Sequence, residues 1–539
     1  MKTVLFGLDG ATFTVLDPLM RDGVMPNLKA FCDRGVRAPL ASTPHPLTPM
    51  AWTSLATGRG MGHHGYADFV RFEMTSQGPI LRFNTSQDIH AEQIWRYASR
   101  RGQKVTVLNY IGLAPPIEVC GHTMPGFVPG RHLRRSSHPP DLFARLQGAE
   151  GFDVNVLGLD LDIERQALQE MEPEKWLDWI DLHIRRERAW FGTLMHLMTH
   201  EPSDLTMVVF DGVDKVQHLA YRFLDEAIAP RHPDAWEARV MERCRDYFRQ
   251  VDSFLGRVME RVGREGRIVI ASDHGFQTTT EVFYVNTWLA QQGLLRWRGE
   301  MDRDDGAAIV ARRLTRHLDK YDWARTRAFA LSPSSNGIFI ANVAPAEYHA
   351  FRERLIEGLQ SIRAADGGRV VAEIKKREEW FAGPYQDRAP DLTLTLRDRG
   401  FISVLEGREV VVPRRQPAGT HHPDGVLLAL GPGLKEGARV ERRSILDVAS
   451  LLAHSLGLPI PADYEGAFPD TFYEERALLA DPPRREGADA ESPRAAAAAP
   501  ETPAPAADMP QATAAAAPEM DAEDDAVIYD RLKSLGYIE

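Results

Sequence analysis

"VLFGLDGAT" (residues 4–12) is an apolar run that stops at Asp9-Gly10. Its apolar residues do not alternate with polar ones. A strand reads that way when both of its faces are covered, as in the middle of a parallel sheet. An acidic residue just past the carboxyl end of such a strand is where open α/β sheets keep their chemistry. The stretch therefore predicts an α/β fold and asks what Asp9 does in it.

Two phosphate-handling chemistries fit an Asp-Gly in this place. The haloacid-dehalogenase pattern D-x-D-G-T puts a nucleophilic Asp two residues before the Asp-Gly. Aligned on Asp9-Gly10, that position is Gly7, and the Thr position is Ala11. Glycine has no carboxylate to attack phosphorus, so Asp9 is left as a metal ligand, a turn cap or a residue with no special role.

Similar runs recur along the chain. "KVTVLNY" (104–110), "DLTMVVFDG" (204–212), "RIVIASD" (267–273), "NGIFIAN" (336–342), "DLTLTL" (391–396) and "DGVLLALG" (424–431) read as strands. Helical patterns lie between them, among them "DYFRQVDSFLGRVMERV" (246–262) and "ILDVASLLAHSLG" (445–457). Strands alternating with helices predict a mostly parallel sheet covered on both faces.

The 539 residues suffice for one large α/β domain with insertions, and 43% hydrophobic with 26% charged residues is ordinary for a globular chain. A net charge of −12 argues against general nucleic-acid binding. Three cysteines, Cys32, Cys120 and Cys244, give no disulfide framework and suit a reducing compartment. No apolar run approaches membrane-spanning length, and the first residues do not read as a signal peptide, so a cytoplasmic location is expected. From about residue 477 the chain turns to Ala, Pro and acid and cannot bury a core. A disordered linker is expected over 477–525, followed by a short amphipathic peptide at 526–539. Val527, Ile528, Leu532 and Leu535 recur at helical spacing in that peptide, which is expected to dock on the catalytic domain or on a partner.

Unusual polar residues gather at predicted strand ends. Asp214 and His218, in "DGVDKVQH", are four apart and share one face of a helix. Asp273 and His274, in "SDHGF", follow a strand and can converge only in a loop beyond it. His421 and His422 stand in "GTHHPDG" just before the strand at 425–430. Each has an ordinary reading, as a cap, a solvated helical pair, a turn or a loop histidine. Together, six Asp and His residues at strand ends suggest a two-metal site of O and N ligands. Such a set favours zinc, with manganese or iron as alternatives. In "TPHPLTPMAWTSLATGRGMGHHG" (43–65), Thr48 precedes Pro49 and a helical stretch, which makes Thr48 an expected N-cap. A helix N-terminus also presents free N–H groups to a phosphate, and a Thr hydroxyl activated there by a metal can attack phosphorus.

Taken in this order, the pieces resemble the alkaline phosphatase superfamily, and within it the type I phosphodiesterase/nucleotide pyrophosphatase branch. The resemblance covers about residues 1–475. "VNTWLAQQGLL" (285–295), "FAGPYQDRAPDLTL" (381–394), "GTHHPDGVLLALGPG" (419–433) and the ending "RLKSLGYIE" are similar to its bacterial soluble members. It implies an α/β/α sandwich with cap insertions and two divalent metals. Asp214, His218 and His421 would hold one metal. Asp9, Asp273, His274 and the Thr48 oxygen would hold the other. The branch usually carries an Asn where this chain has Phe69, so a contact from His63, His64 or the backbone near Thr48 is expected to replace that amide, or the Phe69 ring to face an apolar leaving group.

The expected domain is residues 1–476, with caps at about 66–175 and 277–390. The expected activity is metal-dependent hydrolysis of a small-molecule phosphate ester, a diester first, through a phospho-threonine. A phosphomonoesterase or phosphomutase on the same site is the rival enzyme reading. An inactive phospho-ligand or partner-binding scaffold is the rival from another class, and the full ligand set argues against it.

Overall fold

The computed structural model describes residues 2–75, 78–128, 130–158, 173–298, 321–332 and 335–486. The strand Thr3–Leu8 lies near the middle of a nine-stranded sheet, with Leu205–Phe210 on one side and Arg267–Ala271 on the other, both parallel to it. Beyond Leu205–Phe210 come Val105–Tyr110 and Gly121–Pro125, also parallel. Beyond Arg267–Ala271 comes Asp424–Leu430, which is antiparallel, then Val36–Ala41. The fold is the expected α/β/α sandwich with a mostly parallel central sheet.

Neighbouring side chains of each central strand point to opposite faces, so one apolar run feeds two cores. Phe6, Val208, Phe210, Ile268 and Ile270 face a core closed by helices that include Pro173–His200 and Ala235–Val262. Leu5, Met207, Val209, Val269 and Ala271 face the other core, with Trp52 of helix Thr48–Thr57 and Leu451 of helix Asp447–Ser455. Burial of each large side chain is worth about 1.5–3 kcal/mol. That uniform apolar demand is why these strands show no alternation in sequence.

The helix read at 246–262 begins earlier, at Ala235. Asp234 accepts the N–H groups of Trp236 and Glu237, both at 2.8 Å, while Glu237 reaches back to the Asp234 N–H at 3.2 Å. This capping box, D-x-x-E, was present in the sequence as a start signal.

The caps differ from their expected bounds. Among the described residues of 66–175, Val70–Thr75 and Gly78–Phe83 form a separate hairpin, whereas Val105–Tyr110 and Gly121–Pro125 belong to the central sheet. The second cap runs past residue 390. Its four-stranded sheet includes Gly337–Ile340 and Leu392–Leu396, and helix Pro345–Ser361 packs into its own apolar core. It joins the main body through a ribbon in which Gly275–Tyr284 pairs antiparallel with Val411–His422. Sequence periodicity identifies strands, but pairing is non-local, so it does not assign them to sheets.

The ordered chain also passes residue 476. Ile460 donates its N–H to the Arg484 carbonyl at 2.7 Å, and Glu486 donates to the Ile460 carbonyl at 2.9 Å. The Glu486 carboxylate accepts the Tyr97 hydroxyl at 3.1 Å and pairs with Arg101. The rest of the expected linker, 487–525, and the peptide at 526–539 lie outside the described residues. Ending the chain after residue 476 instead of 486 removes these hydrogen bonds. It should lower the melting temperature by about 2 °C or more, read by differential scanning fluorimetry on the two truncations.

Candidate metal centre and active site

Three adjacent parallel strands deliver three carboxylates to one place. Asp9 follows Thr3–Leu8, Asp273 follows Arg267–Ala271, and Leu205–Phe210 leads into the helix Gly212–Leu224 that carries Asp214 and His218. We call it the ligand helix. All three carboxylates are at most 2% exposed. Gly10 holds a left-handed conformation (φ +67°), and a Cβ there would lie 2.6 Å from the Phe276 ring. Only glycine makes that turn, which brings the Gly10 N–H to Asp273 Oδ1 at 3.0 Å.

His421 lies within a strand, Val411–His422, and not in a loop before one. Its Nδ1 is 2.7 Å from the Pro46 carbonyl, and His274 Nδ1 is 3.1 Å from the Gly275 carbonyl. A carbonyl only accepts, so each Nδ1 carries the proton and each Nε2 presents a lone pair. His421 Nε2, His218 Nε2 and Asp214 Oδ1 form a triangle with sides of 3.1, 3.3 and 3.4 Å. His274 Nε2 is 3.1 Å from Asp273 Oδ2, 3.7 Å from Asp9 Oδ1 and 3.3 Å from Thr48 Oγ1. It is also 4.0 Å from Asp214 Oδ1, which links the two groups. Donor atoms bound to one tetrahedral ion at about 2.0–2.1 Å stand roughly 3.3 Å apart.

The donor set fits metal ions on independent grounds. Asp9 Oδ1, Asp214 Oδ1 and Asp273 Oδ2 are buried and none is satisfied by a hydrogen bond. Buried carboxylate oxygens left bare are strongly disfavoured unless a cation meets them. Burial pushes the Asp9 carboxyl well above its ordinary range, and the charges of Asp273 and Asp214 push it further. Burial likewise lifts Asp273 to about 7. For Asp214 burial acts the same way, but His218 and His421 outweigh it and hold the carboxyl low. Burial drives His274 and His421 below the usual imidazole value, into the neutral form that binds metals.

Helix Thr48–Thr57 starts one residue earlier than expected. Thr48 is its first residue and Leu47 the N-cap, with Pro49 in the first turn. The register is set by Trp52, whose indole N–H donates to Asp9 Oδ2 at 3.3 Å. Gln217 adds a brace by donating to the Gly10 carbonyl at 2.8 Å. Neither residue carried a signal in the sequence, because each acts across the fold on a distant group, 43 positions away for Trp52 and 207 for Gln217.

The expected substrate contacts do not gather here. His64 accepts the Tyr66 N–H at Nδ1 (3.1 Å) and so donates from Nε2 to Ser54 Oγ at 2.9 Å; burial lowers it to about 3. It is a neutral structural histidine. His63 Nδ1 lies 2.5 Å from Glu465. Phe69 is 7% exposed, in the apolar core beside Phe127 with ring centroids 6.2 Å apart. Its neighbours Asp68 and Val70 instead line a cavity of about 320 Å³. His45 and Met50, which flank Thr48 in sequence, line it from the body, and Ser332, Phe339 and Arg388 line it from the second cap.

A family model for type I phosphodiesterase / nucleotide pyrophosphatase matches residues 3–424. No curated protein sequence matches the chain. Among solved structures, murine ectonucleotide pyrophosphatase / phosphodiesterase 5 is 13% identical, with 88% of this chain and 100% of that chain covered and a TM-score of 0.51. An inactive variant of it in complex with AMP is 14% identical, with 87% and 98% covered and a TM-score of 0.51. Phosphonoacetate hydrolase from Sinorhizobium meliloti is 16% identical, with 85% and 95% covered and a TM-score of 0.49. Among the described residues, no helix is long and apolar enough to cross a membrane.

The pH dependence of the metal-stripped protein follows from Asp273. Its pKa in the fold, about 7, lies above its ordinary 3.8, so the folded chain binds the extra proton. Stability from this group is full below the ordinary value and is lost as pH rises through about 7. In chelator, Asp273→Asn should therefore gain stability relative to wild type from pH 5 to pH 8. Thermal melts of both proteins across that range check it. An advantage that stays flat or shrinks would contradict the buried, unpaired carboxyl.

Proposed function

This chain belongs to the type I phosphodiesterase/nucleotide pyrophosphatase family, and from that premise we propose that it hydrolyses a phosphodiester through a covalent phospho-threonine at Thr48. The family consists of metal-dependent phosphoester hydrolases, and this chain is an enzyme of that kind. The observation that carries the finer reading is the place of Thr48 Oγ1. It stands at the start of a helix and 3.3 Å from the imidazole that links both ligand groups.

Asp214, His218 and His421 would hold one divalent ion, and Asp9, Asp273 and His274 the other, with zinc favoured by the N and O donors. Ions held there supply Lewis acidity and positive charge to the attacking and leaving oxygens. The chain does the rest. The first turn of helix Thr48–Thr57 directs the positive end of its dipole at the phosphoryl group. Thr48 Oγ attacks phosphorus in line. The Oγ–P bond forms as the bond from phosphorus to the alcohol breaks, and in net the threonine proton leaves on that alcohol. Water then cleaves the Oγ–P bond, restores the threonine hydroxyl and frees the product.

The cavity lined by His45 and Met50, which flank Thr48 in sequence, supports a diester over a monoester. Its lining includes four carboxylates, Asp68, Glu73, Asp88 and Asp387, against two guanidiniums, Arg71 and Arg388. Arg71 is already paired with Asp88 and Glu73. The cavity's carboxylates outnumber its guanidiniums two to one, which disfavours a dianionic monoester more than a diester that brings one charge fewer. The Phe69 ring packs in the core, so selectivity for aromatic alcohols is not assigned to it. The proposed setting is cytoplasmic.

The test uses bis(4-nitrophenyl) phosphate and 4-nitrophenyl phosphate with added Zn²⁺ or Mn²⁺. Wild type should have the higher kcat/KM on the diester. Thr48→Ala should lose turnover by about 10³-fold or more while keeping its fold and metal content, and acid-quenched wild type should show a phosphate on Thr48 by mass spectrometry. Near-normal turnover by Thr48→Ala would replace the covalent scheme with attack by water. A preference for the monoester would put the monoesterase reading first.

A further inference from the structure

The ligand helix begins inside a buried polar cluster that plays no part in the chemistry above. Asp211, the residue before the helix, is 1% exposed, and Arg186 and Glu187 on helix Pro173–His200 are 1% and 0% exposed. Arg186 donates from Nη1 to Asp211 Oδ1 at 2.5 Å, from Nη2 to Asn109 Oδ1 at 3.2 Å, and from Nε to the Leu157 carbonyl at 3.2 Å. Asn109 donates to the same Asp211 oxygen at 2.9 Å and to the Val209 carbonyl at 2.7 Å. Glu187 Oε1 accepts the Gly212 N–H at 2.6 Å, with the Tyr247 hydroxyl 3.5 Å from that oxygen. Lys215 Nζ lies 3.6 Å from Asp211 Oδ2.

Five of these eight contacts end on residues 209–215, at the start of the ligand helix. The first N–H groups of a helix have no partner within it. Here a carboxyl from a different helix takes one of them. The fit is close, because a Cβ at Gly212 would lie 2.6 Å from Glu187 Oε1 and 2.7 Å from the Tyr247 hydroxyl. Burying ions is expensive, and well-packed apolar residues often serve stability as well or better. What this cluster adds is a fixed position for the peptide between residues 211 and 212. Asp214 and His218 follow on the same rigid helix, and groups that orient metal ligands from behind set metal affinity.

We propose that Arg186 and Glu187 are positioning residues: they pin the start of the ligand helix so that Asp214 Oδ1 and His218 Nε2 close on His421 Nε2. The proposal rests on the reading of those three residues as metal ligands. Burial pushes the Glu187 carboxyl up to about 8, so a glutamine at that position has nearly the same charge at pH 7 and still accepts from Gly212.

The test is Zn²⁺ titration of the stripped full-length protein against a competing chelator, with kcat and KM on bis(4-nitrophenyl) phosphate measured in parallel. Glu187→Ala should weaken Zn²⁺ binding by about 10–100-fold and lower kcat with KM nearly unchanged, and Glu187→Gln should restore both to within about threefold of wild type. A merely structural role would lower the melting temperature and leave the metal affinity of the folded protein alone. A folded Glu187→Ala with wild-type Zn²⁺ affinity overturns the proposal, as does a Glu187→Gln as impaired as the alanine variant. If Glu187→Ala does not fold, Asn109→Gly decides by the same readouts, since it keeps the left-handed backbone (φ 53°) and removes the amide that holds Asp211. A wild type that binds no Zn²⁺ refutes the ligand reading itself, a result distinct from wild-type binding that Glu187→Ala leaves intact.

Discussion

Three carboxylates that cannot all stay charged in a dry interior are the constraint on which this molecule turns. Asp9, Asp214 and Asp273 converge with oxygens that no hydrogen bond satisfies. An apolar protein interior offers no remedy except protonation or a cation. The imidazoles of His274 and His421 are turned to help only a cation. Each gives its one proton to a backbone carbonyl and aims a bare nitrogen inward. The conflict is therefore built in, and the two cores and flanking helices supply the packing that holds it together.

The rigidity comes from the sheet. Adjacent parallel strands end at nearly one level, so residues following them meet without long loops. Glycine is needed at the left-handed turn of Gly10 against Phe276 and at the close approach of Gly212 to Glu187. Trp52 and Gln217 then tie the threonine helix and the ligand helix to the turn after the first strand.

Much of this was legible in the sequence, for a physical reason. A strand buried on both faces has no alternation to hide a polar residue, so an Asp at its end stands out. The Asp9 and Asp273 signals are of that kind, and Asp214 and His218 stand out by their four-residue spacing on the helix that follows such a strand. The contacts that orient them were not legible. Arg186, Glu187 and Asn109 look like any charged or polar residues on a helix or strand, and their partners are defined only by packing. The same limit explains the errors. Thr48 was misread by one helix position because Pro is tolerated through the first turn. Phe69 sat next to residues that do line the cavity, and its own direction depended on a local bend the letters do not reveal. Residues 477–486 read as linker, because an Arg-rich, Pro-rich segment looks unstructured until Tyr97 and Ile460 are seen to receive it.

The ribbon that joins the second cap to the body has an implication for how such proteins diversify. Its two strands pair at their base, His421 with Phe276 and His422 with Gly275, immediately beside the proposed ligands His274 and His421. Everything from Thr278 to Ala418 leaves and returns through that one clasp. The spacing between His274 and His421 is thus fixed at the clasp, on the body side of what hangs beyond it. Lineages can lengthen, shorten or replace the hanging module, and so trade one substrate wall for another, without renegotiating the inorganic chemistry underneath.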